Sequence, residues 1–245
     1  MWKAIKRLTS FKNFYRFSGK LLPWFGAITL VLFLTGLYWG LVIAPIDYLQ
    51  KDSYRILYIH VPAAWMSLFV YIVMAASGAI HLVWKTKLSE VIANSCAPIG
   101  ATFTFLALVT GAIWGQPTWG TWWVWDARLT SELVLLFLYI GYMALHSAIE
   151  DRASAARAAA ILAIVGLVNI PIIHFSVNWW FTLHQVASIS VGKGSSLHPS
   201  MYWPLMVMTA AFKFYFATVL MMTARNEILE RDQNSNWVRE EEKNL

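Results

Sequence analysis

Cysteine is nearly absent. Cys96 is the only one in 245 residues, so no disulfide can close within the chain, and neither CxxC nor CxxCH occurs. That leaves no thiol pair for a metal and no dithiol anchor for a covalently attached macrocycle. Charge is scarce too, at 13% against 58% hydrophobic residues, with a mean hydropathy of +0.54. The sequence has no Walker loop, no GxGxxG and no repeat at a solenoid period, so nucleotide binding and a stacked-repeat fold have no support. No long polar segment remains for a soluble domain.

What is present is apolar sequence in long runs. Six of them, at about 22–44, 60–83, 97–114, 129–149, 158–178 and 202–223, approach or exceed the length that crosses a bilayer as a helix. The expectation is an all-α polytopic membrane protein: six transmembrane helices in one bundle, a single domain over 1–245. Its three outer loops would lie near 43–59, 115–128 and 179–201. The first 20 residues carry six Lys/Arg and no cleavage pattern, so they read as a retained cytoplasmic flank. Of the 19 Lys and Arg, 14 fall in the N-terminal flank, the two turns at 85–87 and 150–157, and the tail at 224–245. Lys51, Arg55, Arg128 and Lys193 are the four on the other side. That asymmetry places both termini in the cytoplasm, and it accounts for the net charge of +6 without nucleic acid. The acidic end, REEEKNL, is expected to be solvated and flexible.

The outer loops hold the chemistry. Trp119–Arg128, WGTWWVWDAR, packs four tryptophans into seven residues and ends in an acid and a base. Gly115, Pro117 and Gly120 argue against continuation of the third helix and suggest a short Trp-rich interfacial helix from near Thr118. In such a helix Trp119, Trp122, Trp123 and Asp126 share one face, with Trp125 at its border. Scattered tryptophans such as Trp24, Trp39, Trp84, Trp179 and Trp203 suit an ordinary interfacial belt, but a dense cluster does not. An indole face closed by Asp126 and Arg128 suits a broad, flat, apolar ligand with a polar rim. Haem has that shape, with an iron that takes axial imidazoles and propionates that pair with Arg55 or Arg128.

Six histidines compete for the axial positions. His60 sits two residues before Pro62, at the start of the second helix; His184 lies in NWWFTLHQ of the third outer loop. His81 and His146 fall near inner helix ends, where hydrogen-bonded packing is expected, and His174 and His198 are outer-side alternatives. Asp126 has two open readings: it braces its segment by pairing with Arg128, or it touches the ligand or a partner directly. Lys213 is an intramembrane charge, and Asn169–Pro171 is read as a kink of structural meaning only.

The stretches WGQPTWGTWWVWDARLTSELVLLFLY, SYRILYIHVPAA and NWWFTLHQ resemble the WWD signature and the histidine-bearing segments of the heme exporter protein C family of cytochrome c maturation. The likeness extends from the MWK start to the sixth run. The resemblance implies non-covalent, transient binding of haem b, with bis-histidine ligation by His60 and His184. It also implies a WWD segment over 114–128, in which Trp114, Trp119, Trp122, Trp123, Trp125 and Asp126 hold the cargo and present it to a membrane-tethered periplasmic haem chaperone. Further implied partners are an ATP-binding cassette pair and a small single-span protein, in a bacterial inner membrane with the haem site on the periplasmic side. The family is not enzymatic. Two rival readings are a b-type haem electron-transfer subunit and a protein-only assembly scaffold.

Overall fold

The computed structural model describes residues 10–185, 188–190 and 194–242. The first nine residues of the basic flank, Lys193 and the last three residues of the tail lie outside that set. The chain is a helical bundle. Its spans are α1 (Phe11–Tyr38, extended by a π-helical turn Trp39–Ile43), α2 (Leu57–Trp84, led in by a 3-10 turn Asp52–Ile56), α3 (Lys87–Trp119) and α4 (Ala127–Ala148). The fifth span is two helices, α5 (Arg152–Gly166) and α6 (Asn169–Trp179); α7 (Pro199–Asp232) is the sixth, and α8 (Asn236–Glu242) follows it. Six helical stretches are long and apolar enough to cross a membrane, and the protein is a multi-pass membrane protein. Among the described residues the only paired strands are β1 (Ile189–Ser190) and β2 (Gly194–Ser195), a two-residue antiparallel ladder in the third outer loop.

α2 and α3 pack as the central pair, and α1 is held mainly by α7. Between apolar spans in lipid, close approach of backbones does much of what hydrophobic burial does in water. α5 meets the bundle with a buried stripe of Ala155, Ala159, Ala163 and Gly166. Gly78 of α2 lies so close that a Cβ there would stand 3.2 Å from that of Ala160. A Cβ at Gly166 would collide with the Tyr71 hydroxyl.

The inner end is tied by charge. Glu90 of α3 accepts from Arg152 at 3.2 Å and from Arg231 at 2.9 Å, and Glu227 takes both arginines as well. Three spans are thereby pinned at one end. The acidic end of the chain is not a free tail as far as Glu242: α7 runs on to Asp232, and α8 docks against α1. There Arg16 Nε donates to Glu241 at 2.7 Å, Lys12 pairs with Glu240 at 3.6 Å, and Val238 is buried. The charge pattern suggested solvation, but Trp237 and Val238 supply an apolar edge that packs on Tyr15 and its neighbours.

The third span also departs from expectation. α3 passes through Gly115 and Pro117 and stops at Trp119, where Gly120 takes a left-handed φ of 78° and closes the helix with its N–H on Gln116 O. No interfacial helix follows; residues 120–126 are irregular before α4 begins. Gly115 is not a breaker. It gives room for the Trp119 ring, which folds back to within 3.0 Å of where a Cβ would be. Gly120 ends the helix because its conformation is open to glycine at little cost.

Candidate functional site

At the end of the bundle opposite the ionic cluster, α2, α3, α4 and the third outer loop enclose a cavity with about 170 Å³ open to the centre of a water molecule. A single water needs only about 10–15 Å³ on that measure. The walls are largely apolar and include Leu57, Val61, Ala64, Leu108, Ala112 and Leu129. Into this lining come His60, His184, Arg128, Glu132 and three of the tryptophans, Trp114, Trp119 and Trp123.

His60 stands in the first turn of α2. Its Nδ1 lies 3.0 Å from Ala107 O and 3.1 Å from the Thr110 hydroxyl. A carbonyl oxygen only accepts, so Nδ1 carries the hydrogen and Nε2 keeps its lone pair for a metal. Trp114 meets the ring edge-on at 5.7 Å and is itself held by an indole N–H bond of 2.8 Å to Gln50. Gly111 allows the ring in: a Cβ there would stand 3.0 Å from His60 Cε1.

His184 is placed the same way from another element. Its Nδ1 lies 2.8 Å from Gln185 O, again leaving Nε2 free, and Trp119 lies 6.3 Å away between ring centres. Burial first, and then the positive charge of Arg128, hold its pKa below the usual histidine value, against the opposing effects of the Gln185 carbonyl and Asp126. The imidazole is therefore neutral, the form that binds a metal.

Asp126 connects the two halves of the site. One carboxylate oxygen caps α4 by accepting from Leu129 N at 2.8 Å, and the other accepts from the Thr182 hydroxyl. Thr182 Oγ1 in turn accepts from the His184 backbone N–H at 3.1 Å. Asp126 thus braces its segment through Thr182; among the described residues it forms no ion pair with Arg128. Arg128 instead donates to Ile173 O at 2.7 Å, joining α4 to α6.

The tryptophans divide into two sets. Trp114, Trp119 and Trp123 line the cavity, whereas Trp122 and Trp125 are exposed outside it. The shared helical face was therefore the wrong geometry, because only Trp119 of that set is helical. Arg55 is not in the lining; it donates to Asp52 at 2.9 Å and to Gly40 O at 2.9 Å. His198 caps α7 and bonds Ser200, and His174 is exposed on α6. His81 bonds Thr86 O at 3.1 Å, while His146 packs on Tyr142 at 5.1 Å with its Nε2 unpartnered. Lys213 faces outward on α7, away from the cavity.

Sequence reasoning passed over Gln50, Trp65 and Glu132. Glu132 is buried in the cavity wall and accepts from the Ser67 hydroxyl at 2.8 Å. An acidic residue one turn into an apolar span was the available signal.

The donor set suits one kind of ligand. No group of three or more His, Cys, Asp or Glu that could hold a bare ion is found among the described residues. Two imidazoles with free Nε2 atoms fit a metal that arrives with its own equatorial ligands. The Trp123 indole N–H is buried without a hydrogen-bond partner among the described residues.

Known proteins resemble this chain along most of its length. Residues 4–239 match the family described as heme exporter protein C. The chain is 49% identical over 240 residues to the heme exporter protein C of Escherichia coli (strain K12), covering 98% of this chain and 97% of that protein. It is 51% identical over 219 residues to that of Bradyrhizobium diazoefficiens, covering 89% and 83%. A putative cytochrome c biosynthesis ccmC-like mitochondrial protein of Marchantia polymorpha is 48% identical over 199 residues, covering 80% and 84%.

Proposed function

This chain belongs to the heme exporter protein C family of cytochrome c biogenesis, and on that premise we propose that its cavity binds haem b, non-covalently and transiently, as cargo. His60 and His184 would be the axial ligands. Trp114, Trp119 and Trp123 give the disc apolar contact, and Arg128 at the wall would meet a propionate. The observation that carries the reading is the convergence of two neutral-tautomer imidazoles from separate elements on one indole-lined cavity.

The exposed Trp122 and Trp125 do not line the cavity, and they suit the presenting surface at which a membrane-tethered periplasmic haem chaperone takes the cargo. The protein is then a carrier and loading platform in the bacterial inner membrane. Both termini are cytoplasmic and the cavity periplasmic, in keeping with the Lys/Arg asymmetry. An ATP-binding cassette pair and a small single-span protein are its further partners.

The test is the absorption spectrum of protein purified from haem-replete cells. The expected result is a bis-imidazole spectrum that His60→Ala and His184→Ala each shift and His198→Ala leaves unchanged. A wild-type protein with no Soret band would instead mark a protein-only scaffold.

A further inference from the structure

The fifth span leaves α2 halfway across the bundle. At about 100° per residue, Gly78, Tyr71, Ala64 and His60 fall within about 40° of one another on α2. The inner two of these residues meet α5 closely, at Ala160 and Gly166. The outer two line the cavity. After Gly166 the helix breaks, and α6 packs chiefly on α4. Two polar side chains hold it there: Asn169 Nδ2 donates to Ser131 O at 2.8 Å, and Arg128 donates to Ile173 O at 2.7 Å. The face of α2 that α5 covers further in is thus uncovered beside the cavity.

Trp65 marks the edge of that uncovered face. It lines the cavity, yet it is 37% exposed. It stands about 100° round α2 from Ala64, beside the outward-facing Phe69 and Ile72. Beyond it, Phe69 touches Phe216 of α7 at 5.9 Å, so α7 bounds the uncovered strip on that side. Trp65 is also about 7.5 Å further into the span than His60, at 1.5 Å per residue, and an exposed residue at that depth faces lipid.

We propose that the cavity opens sideways to the bilayer past Trp65, on the side of α2 bounded by α7, and that its cargo enters from the lipid phase through this gap. The cargo is haem, so the proposal rests on the functional reading above. A flat apolar disc partitions into lipid and passes edge-on through a slit between helices, with its propionates trailing toward the interface. An aqueous route would instead bring the disc in at the end of α3, where Thr118 and Gln185 are the other exposed lining residues.

The test uses the full chain in nanodiscs, with haemin supplied from phosphatidylcholine vesicles or from albumin in water. The rate of appearance of the bis-imidazole spectrum is followed for Trp65→Ala, Trp65→Phe, wild type, and Trp65→Cys (with Cys96→Ala) carrying a pyrene maleimide. Uptake from vesicles should fall as the side chain grows. The pyrene adduct should be slower than wild type by about tenfold or more, a barrier rise of about 1.4 kcal/mol. Uptake from albumin should slow by a smaller factor than uptake from vesicles at each step of the series. Equal slowing from both sources would make position 65 part of the binding site and overturn the doorway. So would vesicle uptake that ignores side-chain size. A wild type that takes haem from neither source would sink the functional reading itself, a different result from either.

Discussion

Asp126 shows how much one carboxylate does at this site. It caps α4 and, through Thr182, sets the backbone that carries His184. Losing the cap alone costs about 1 kcal/mol. We expect Asp126→Ala to lower thermal stability modestly but to disturb ligation by His184 more, and Thr182→Val to reproduce the ligation defect with little loss of stability. Absorption spectra and melting curves of the two variants separate the roles; a normal spectrum for Thr182→Val would break the link. Gly111 acts on the other ligand. A methyl group 3.0 Å from His60 Cε1 should turn the imidazole, so Gly111→Ala is expected to shift the haem spectrum without removing a ligand or a charge. A wild-type spectrum from that variant would show that the ring has room to spare. Asp126 and the three cavity tryptophans stood out in the sequence as one dense outer segment, whereas the choice of His60 and His184 among six histidines rested on the family resemblance. The Thr182 link was not legible, because it joins residues 56 positions apart through a hydroxyl that carries no pattern.

At the scale of elements, period and length gave the spans, and local breakers misled. Gly115 and Pro117 look like the end of a helix, but the α3 backbone continues, since Gly115 serves close packing and Pro117 lies within three residues of a helix end. Asn169–Pro171 was legible as a kink. That the span packs on α2 before the break and on α4 after it depends on packing partners that no single segment specifies. Gly166 is where the inner half of this contact ends. Gly166→Ala places a methyl group on the Tyr71 hydroxyl, and overpacking of this kind costs about 1–3 kcal/mol. Its melting temperature should fall with the outer site intact, so that haem added to the folded variant still gives the wild-type spectrum. Loss of the spectrum at unchanged stability would mean that the break and the cavity are coupled differently.

Over the whole molecule the polar chemistry is divided between two ends. The inner end is closed by Glu90, Glu227, Arg152 and Arg231 and by the docking of α8 on α1; the outer end is left open around two imidazoles. The proposed orientation rests on the Lys/Arg distribution. A cysteine at Thr121, with Cys96→Ala, should react with a membrane-impermeant thiol reagent in intact cells whose outer membrane is made permeable. Labelling only after the inner membrane is breached would reverse the topology and put the cavity on the wrong side for a periplasmic chaperone. The central claim, that two imidazoles from α2 and the third outer loop ligate one haem iron, has a direct measurement. In the purified protein, His60→Gly and His184→Gly should each lose the bis-imidazole spectrum, and each should regain it when free imidazole is added to fill the vacated position. If imidazole restored neither, or if both variants kept the wild-type spectrum, the axial pair assigned here would be wrong.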